Sequence, residues 1–347
     1  MLEVSGITKC YGNKTAVDNI SFKVNQGEIV GFLGTNGAGK STTMNIITGY
    51  LSATDGTVTV DGYDVMQNPV KVKERIGYLP EIPPLYQDMT VWESLRFAYE
   101  LKRVKLDRDR HLNEICDLVK ISDVKDRLVK NLSKGYRQRV GLGCALIGNP
   151  PILILDEPTV GLDPKQIIEI RNLITKLAKT RTVILSSHIL PEIQAVCGRI
   201  IIINKGKIVA DDTPDNLTAA QAKDHRLILQ APGEPGEIKK LLKSIPQVSA
   251  VEAGEVTEPG VHHYFVDAGG EDVRKEVFFL MAEHKIPLME LSYKHVTLED
   301  AFLKLTKEGY VPAEPEAAKA QDAPQAAKAQ ESPAAEADET QEGAKTK

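Results

Sequence analysis

A glycine-rich run from Gly34 to Thr42 is the strongest chemical signal in the sequence. It fits the pattern G-x-x-x-x-G-K-[ST], with Lys40 and Ser41 at the last two fixed positions. An apolar segment precedes the run and a helical pattern follows it, which is the setting that such a loop needs to bind phosphate. A strand-to-helix turn without a ligand is the alternative, and this setting disfavours it. The predicted phosphate-binding residues are Gly34, Thr35, Asn36, Gly37, Ala38, Gly39, Lys40, Ser41 and Thr42.

The residue types in this loop indicate what it would bind. Glycines let the backbone curl around phosphate groups, so that N–H groups and the start of the following helix point at negative charge. Lys40 would place a positive charge beside the β- and γ-phosphates, and the Ser41 hydroxyl would be a ligand of Mg²⁺. We therefore expect a nucleoside triphosphate with Mg²⁺.

A pair of carboxylates, Asp156 and Glu157, follows the apolar run that starts at Ile152. Active sites of α/β sheets lie at the carboxyl ends of the strands, where this pair is placed. Alone, Asp-Glu after a strand is usually a solvated turn, but the phosphate loop upstream favours a catalytic function. Asp156 is predicted to hold Mg²⁺, and Glu157 is predicted to polarise the attacking water as a general base.

The segment Leu132-Ser133-Lys134-Gly135-Tyr136 lies between these two elements. It resembles the signature segment of ABC-type ATPases, usually written L-S-G-G-Q, and it departs from that form at Lys134 and Tyr136. Alone, the segment would indicate only a serine-capped basic helix. The resemblance implies that Ser133 and Gly135 bind phosphate at the start of a helix, and that the nucleotide is ATP.

Four further positions match this family by order and spacing. Tyr11 stands where the family has an aromatic residue that stacks on adenine, with a core tyrosine as the alternative. Asp163 follows Glu157 as in the family's D-loop, which borders the nucleotide. His188 ends an apolar strand where the family has a switch histidine at the γ-phosphate, although a lone histidine there is more often structural. Glu81 replaces the Q-loop glutamine and is a candidate Mg²⁺ ligand. The implied catalytic residues are Glu157, His188 and Lys40.

Periodicity divides the chain into three regions. Residues 1–220 alternate β-rich runs with helical stretches, as in an α/β domain, and the resemblance implies a P-loop ABC ATPase domain with a helical subdomain. Residues 225–310 have the order β-α-β-β-α-β and a closing helix at Leu298–Thr306, which predicts a small ferredoxin-like α+β domain. Residues 311–347, rich in Ala, Pro and Glu, are predicted to be disordered because they cannot bury enough apolar area.

Charge and hydropathy exclude several classes of protein. The net charge is -5, and residues 311–347 with eight acids and four lysines account for -4 of it. The nearly neutral remainder gives no electrostatic case for binding nucleic acid. No run approaches the roughly 20 apolar residues that a spanning helix needs, and no signal-peptide pattern opens the chain. A membrane process would therefore need a separate membrane-spanning polypeptide.

The Gly77–Glu81 variant, the single nucleotide domain and the appended C-terminal domain together resemble ABC-2-type export ATPases. This implies an ATP-hydrolysing motor subunit, peripheral on the inner face of the cell membrane, that pairs with a second ATP-binding subunit, expected as a homodimer. An integral membrane permease would be its partner, facing the segment Thr90–Glu93. The alternative is a soluble ABC ATPase of translation or DNA repair. Those proteins usually carry tandem nucleotide domains or long coiled coils, and this chain has neither.

Overall fold

Short apolar runs form the strands of the first 221 residues, and the segments between them form helices. The computed structural model describes residues 1–221, 226–258, 260–269, 271–293 and 297–307, so the predicted disorder of residues 311–347 lies outside the described residues. The strands are β1 (Leu2–Tyr11), β2 (Lys14–Val24), β3 (Ile29–Leu33), β4 (Asp55–Val60), β5 (Tyr63–Asp64), β6 (Ile76–Leu79), β7 (Ile152–Asp156), β8 (Thr182–Ser187), β9 (Arg199–Asn204) and β10 (Lys207–Asp212). The helices are α1 (Lys40–Ile47), α2 (Pro69–Arg75), α3 (Val91–Leu101), α4 (Arg108–Val119), α5 (Lys134–Leu146), α6 (Pro164–Ala178), α7 (Leu190–Gln194) and α8 (Pro214–Gln221).

These strands form two sheets, and the larger one positions the predicted site. The smaller sheet is antiparallel with the order β2-β1-β4-β5, and the larger has the order β10-β9-β3-β8-β7-β6. All its neighbours are parallel except the edge strand β10. Strands β7 and β8 are buried along their whole length, as continuous apolar runs predict. Because β3, β8 and β7 are adjacent, their carboxyl ends bring together the segments that begin at Gly34, Glu157 and His188.

The predicted helical subdomain is formed by α3, α4 and α5, which contact one another between β6 and β7 in the chain. Leu95 of α3, Leu112 of α4 and Val140 of α5 are fully buried in a core shared with the sheet. Helix α5 begins directly after Ser133, whose hydroxyl accepts a hydrogen bond from the Tyr136 backbone N–H at 3.3 Å. Among the described residues no helix is both long and apolar enough to cross a bilayer.

The second region contains a four-stranded sheet with its own core. Its elements are β11 (Arg226–Pro232), α9 (Pro235–Leu242), β12 (Ala250–Glu258), β13 (Val261–Asp267), α10 (Arg274–Glu283) and β14 (Glu290–Tyr293). The sheet is antiparallel with the order β12-β13-β11-β14, and Leu229, Tyr264 and Val277 lie in the core between sheet and helices. The predicted ferredoxin-like order of elements is confirmed.

The closing helix α11 (Leu298–Lys307) packs against the first region rather than against this sheet. Leu298 is buried in the core that the helical subdomain shares with the larger sheet, and Phe302 packs against the same core. The Asn204 side chain at the end of β9 donates a hydrogen bond to the Thr306 carbonyl at 2.9 Å. The division into domains 1–220 and 225–310 stays a prediction. Helix α11 follows the second region in the chain but packs on the core of the first region.

Candidate functional site

In the glycine-rich loop between β3 and α1, two positions leave no room for a side chain, so only glycine fits there. A Cβ at Gly34 would lie 2.6 Å from the Ile203 carbonyl oxygen. Gly39 has a φ of +114°, and a Cβ there would lie 2.7 Å from the Ala16 carbonyl oxygen. Helix α1 starts directly after Gly39, so its unpaired N–H groups open into the loop. The loop is therefore shaped to accept an anion at a helix N-terminus.

Lys40 is held inside this loop. Its side chain is only 6% exposed, and its ammonium donates hydrogen bonds to the carbonyl oxygens of Gly34 at 2.9 Å and Thr35 at 3.3 Å. The same ammonium lies 3.3 Å from a carboxylate oxygen of Glu157, whose side chain is equally buried. A buried ammonium ringed by these acceptors can turn to a phosphate that enters the loop.

Glu157 connects the lysine to the histidine. Its Oε2 atom lies 2.9 Å from Nδ1 of His188, and its Oε1 atom faces Lys40. Because a carboxylate only accepts hydrogen bonds, we assign the proton of this contact to Nδ1 of His188. Glu157 has a φ of +49°, a left-handed conformation that is uncommon outside glycine and is found at functional sites. The three side chains form a continuous chain of charged and polar contacts.

Asp156 is the last residue of β7 and directly precedes Glu157. It is 2% exposed and accepts a hydrogen bond from the Ser186 hydroxyl of β8. Tyr78 is a neighbour whose hydroxyl donates to the Asn45 side chain at 3.0 Å. Burial, followed by the Asp156 carboxylate, raises the pKa of Tyr78 above its usual value. Tyr78 therefore acts as a neutral hydrogen-bond donor in this part of the site.

A cavity of about 610 Å³ opens over the loop and collects most of the predicted site residues. This volume lies in the usual range for sites that bind small molecules. The predicted residues that line it are Tyr11, Asn36, Gly37, Gly39, Lys40, Ser41, Thr42, Glu81, Glu157 and His188. The predicted residues that do not line it are Gly34, Thr35, Ala38, Ser133, Gly135, Asp156 and Asp163.

The rim of the cavity is built by residues distant in sequence. Tyr11 is 50% exposed, so it is not a core residue, and the Lys9 ammonium lies 5.4 Å from the centre of its ring. Glu81 is an exposed residue at the same cavity. Lys14, Ala16 and Val160 also line it, and the sequence analysis did not single them out. Lys14 is the cross-strand partner of Tyr11, so its place at the rim follows from the β1–β2 hairpin.

Ser133, Gly135 and Asp163 lie together at the facing ends of α5 and α6, away from the cavity. A Cβ at Gly135 would lie 2.5 Å from the Gln166 side chain, so the two helices approach closely there. Asp163 caps α6 by accepting a hydrogen bond from the Gln166 backbone N–H at 2.9 Å. Lys134, one of the two departures from the signature, lies over Gly161. A Cβ on Gly161 would be 2.2 Å from the Lys134 ammonium. The signature segment therefore contacts the turn that follows Glu157.

The described residues contain no group of three or more His, Cys, Asp or Glu side chains placed to hold a metal ion. Ser41 lines the cavity, and Asp156 is a buried residue directly before Glu157, which also lines it. These are oxygen donors, which suit Mg²⁺, an ion that commonly takes its remaining ligands from water and substrate phosphates. The residues present therefore fit a Mg²⁺ ion that arrives with a nucleotide.

Comparison with known proteins gives a consistent result. Residues 17–160 match the family described as ABC transporter. The chain is 32% identical over 313 residues to the bacitracin transport ATP-binding protein BcrA of Bacillus licheniformis, covering 90% of this chain and 99% of that protein. It is 33% identical over 311 residues to the linearmycin resistance ATP-binding protein LnrL of Bacillus subtilis (strain 168), covering 88% and 98%.

Solved structures match about three fifths of the chain. The dimeric structure of a post-hydrolysis state of the ATP-binding cassette MJ0796, bound to ADP and Pi, superimposes with a TM-score of 0.58 at 27% identity. The match covers 61% of this chain and 98% of that one. An ATP-binding subunit of an ABC transporter gives a TM-score of 0.59 at 30% identity, covering 64% and 93%.

Proposed function

The chain belongs to the ATP-binding proteins of ABC transporters, and we propose that it is the motor of an export system, acting as a homodimer beneath a separate membrane permease. As a member of this family it binds and hydrolyses ATP. The chain of contacts from Lys40 through Glu157 to His188, inside one cavity, is the observation that carries the proposal. The alternative in translation or DNA repair finds no support among these relatives.

The geometry supports a role for each group. Lys40 would leave the carbonyl oxygens of its own loop and bind the β- and γ-phosphates. Glu157, already hydrogen-bonded through one oxygen to His188, would accept a proton from the attacking water. His188 would hold the base in place through Nδ1–H and contact the γ-phosphate with its other nitrogen. Tyr11, half-exposed at the rim, would stack on the adenine.

Mg²⁺ would be held by Ser41 and Asp156, with Glu81 near the open side of the cavity. When bound, the ion would neutralise charge on the phosphates. The buried hydrogen bond from the Ser186 hydroxyl to Asp156 would fix the orientation of the Asp156 carboxylate.

The homodimer would account for two of the predicted residues that lie outside the cavity, Ser133 and Gly135. Ser133 and Gly135 start helix α5 and do not line the cavity of their own chain. A helix start supplies phosphate-binding N–H groups, so these residues would act on ATP bound by a second subunit. The dimeric ATP-binding cassette that resembles the first region supports this arrangement.

An apolar groove offers a docking site for the permease. A cavity of about 710 Å³ lies along α3, and its lining on this helix begins directly after the segment Thr90–Glu93. It is bordered by large exposed apolar side chains, among them Tyr50, Phe97 and Leu101, with exposed fractions of 83%, 42% and 71%. A short apolar helix of a membrane protein fits such a surface. One relative is named for transport and another for resistance, which fits export.

A pair of matched variants tests the permease proposal. The full chain, tagged and expressed in its own cells, should co-purify with one integral membrane protein. Phe97→Glu places a charge in the groove and should abolish that co-purification while ATP hydrolysis by the purified chain persists. Phe279→Glu is the control, since Phe279 is 69% exposed on α10 and does not line the groove. Unchanged co-purification of Phe97→Glu would refute the groove, and capture of ribosomes or DNA instead would refute the transport function.

A further inference from the structure

Glu192 is a buried carboxylate close to the proposed hydrolytic residues. It belongs to α7 and is 8% exposed. Its Oε2 atom accepts hydrogen bonds from the hydroxyl groups of Thr159 and Ser187, the second at 3.4 Å. Thr159 and Ser187 are themselves 5% and 1% exposed. Burying a carboxylate is costly unless its oxygens are hydrogen-bonded, so these two hydroxyls are what makes its burial tolerable.

The two hydroxyls belong to different loops of the site. Thr159 is the second residue after Glu157, in the turn that leaves β7. Ser187 directly precedes His188 at the end of β8, and its hydroxyl also accepts a hydrogen bond from the Ile189 N–H at 3.0 Å. One oxygen of Glu192 therefore joins the loop of the general base to the loop of the histidine.

This connection matters because the backbone of Glu157 is in a strained conformation that its surroundings must hold. A non-glycine residue at a φ of +49° is sterically strained, and it persists only where its surroundings hold it. The contact of 2.9 Å between Glu157 and His188 spans the same two loops at the cavity. A shift of one loop against the other would break the alignment that both residues need.

We propose that Glu192 is a positioning residue for ATP hydrolysis, which fixes the loops of Glu157 and His188 against each other through Thr159 and Ser187. The proposal rests on the functions proposed above for Glu157 and His188. Glu192 does not line the nucleotide cavity, and neither do Thr159 and Ser187, to which it is hydrogen-bonded. Its effect should therefore fall on the rate of the chemical step and leave nucleotide binding intact.

Two substitutions of Thr159 give a matched test in the full-length chain. Thr159→Val removes the hydroxyl while keeping the shape, and Thr159→Ser keeps the hydroxyl. Because misplacing a catalytic group by about 1 Å can cost about 10²-fold, we expect kcat to fall by about tenfold or more in Thr159→Val. The KM for ATP should stay within about twofold, and Thr159→Ser should retain kcat within about threefold.

A double-mutant cycle shows whether the hydroxyl acts through Glu192. Glu192→Leu should lower kcat as Thr159→Val does, and the double variant should be no slower than the slower single variant. Equal kcat values for Thr159→Val and Thr159→Ser would overturn the proposal, as would losses that multiply in the double variant. A rise in KM with unchanged kcat would also overturn it. The Thr159 pair decides the question even if Glu192→Leu does not fold.

Glu157→Gln is measured in parallel to separate two kinds of failure. If Glu157→Gln hydrolyses ATP normally, the proposed function of the base is wrong. If Glu157→Gln is inactive while the two Thr159 variants do not differ, only the positioning function of Glu192 is wrong.

Discussion

Replacing Glu157 with glutamine should stop hydrolysis without weakening the binding of ATP. The change keeps the size of the side chain and its place between Lys40 and His188, which lie 3.3 Å and 2.9 Å from its two oxygens. It removes the basicity of the side chain together with its negative charge. A general base contributes about 10²–10⁴-fold to a rate, so the barrier to hydrolysis should rise by about 3–5 kcal/mol.

The same variant should bind ATP more tightly. At 3.3 Å and an effective dielectric constant of about 20, the attraction between the Lys40 ammonium and the Glu157 carboxylate is roughly 5 kcal/mol. A phosphate must compete with that carboxylate for the lysine, and the carboxylate also repels the phosphate. The two carbonyl contacts of Lys40 remain in the variant and still compete with the phosphate, so only part of this attraction becomes available for binding. We expect a net gain of about 1 kcal/mol, which lowers the Kd for ATP by about fivefold.

Two measurements on the purified full-length chain check both halves of this prediction. Phosphate release gives the turnover rate, and binding of a fluorescent ATP analogue gives the Kd. Glu114→Gln is the control, because it makes the same chemical change in an exposed pair with Arg110 and should alter neither quantity. Equal loss of binding and turnover in Glu157→Gln would mean that the residue is structural, and full turnover would mean that it is not the base.

Four further predictions concern other parts of the chain. If the Glu81 carboxylate replaces the family's glutamine near Mg²⁺, Glu81→Gln should keep most of the ATPase activity and Glu81→Ala should lose much of it; Mg²⁺ titrations in which neither change matters would place Glu81 outside the site. A chain that ends at Tyr310 should keep its melting temperature and turnover, and a drop of several degrees would contradict this. Burial lowers the pKa of Lys102 to about 8. Between about pH 8 and 10.5 the unfolded chain then binds more protons at Lys102 than the folded chain does. The free energy of unfolding therefore rises with pH across this window: the contribution of Lys102 to stability is present above it and lost below it. From pH 8 to 10 the free energy of unfolding of the wild type should therefore rise relative to that of Lys102→Met by about 2 kcal/mol, and a difference independent of pH would refute the shift. Finally, Lys40→Ala and Ser133→Arg chains, each inactive alone, should recover part of their activity when mixed, because a mixed homodimer keeps one site with both residues intact; no recovery in mixed dimers verified by differential tags would count against shared sites.

Local patterns were sufficient to find most of the residues that line the cavity, but not Lys14, Ala16 and Val160. The phosphate loop is one continuous segment, so its residue types predict both its position and its charge. Glu157 was found because it follows an apolar strand downstream of the phosphate loop, where α/β sheets place their active sites. His188 was found because its place after the next apolar strand matches the family, since a lone histidine there is more often structural. The sequence did not show that β7 and β8 are adjacent, and this pairing creates the contact of 2.9 Å between the two side chains.

Contacts between distant loops were beyond the reach of the sequence. Glu192 lies in a short helix with no distinctive pattern, and its importance follows only from the two hydroxyls that it meets. The left-handed backbone of Glu157 was equally hidden, because glycine and asparagine are the residues that usually signal it. Lys134 departs from the family's signature, and only the fold shows that it lies over Gly161. Each of these features depends on which loops become neighbours.

Helix α11 shows the physical reason most clearly. Leu298, Phe302 and Leu305 recur at helical spacing, so the sequence correctly predicts a helix with one apolar face. Periodicity shows that such a face must be buried, but it does not identify the surface that covers it. Chain order favours the sheet of β11–β14, yet all three side chains pack on the core of the first region. The C-terminal sheet is therefore attached at both ends to the ATPase region, by α8 before it and α11 after it.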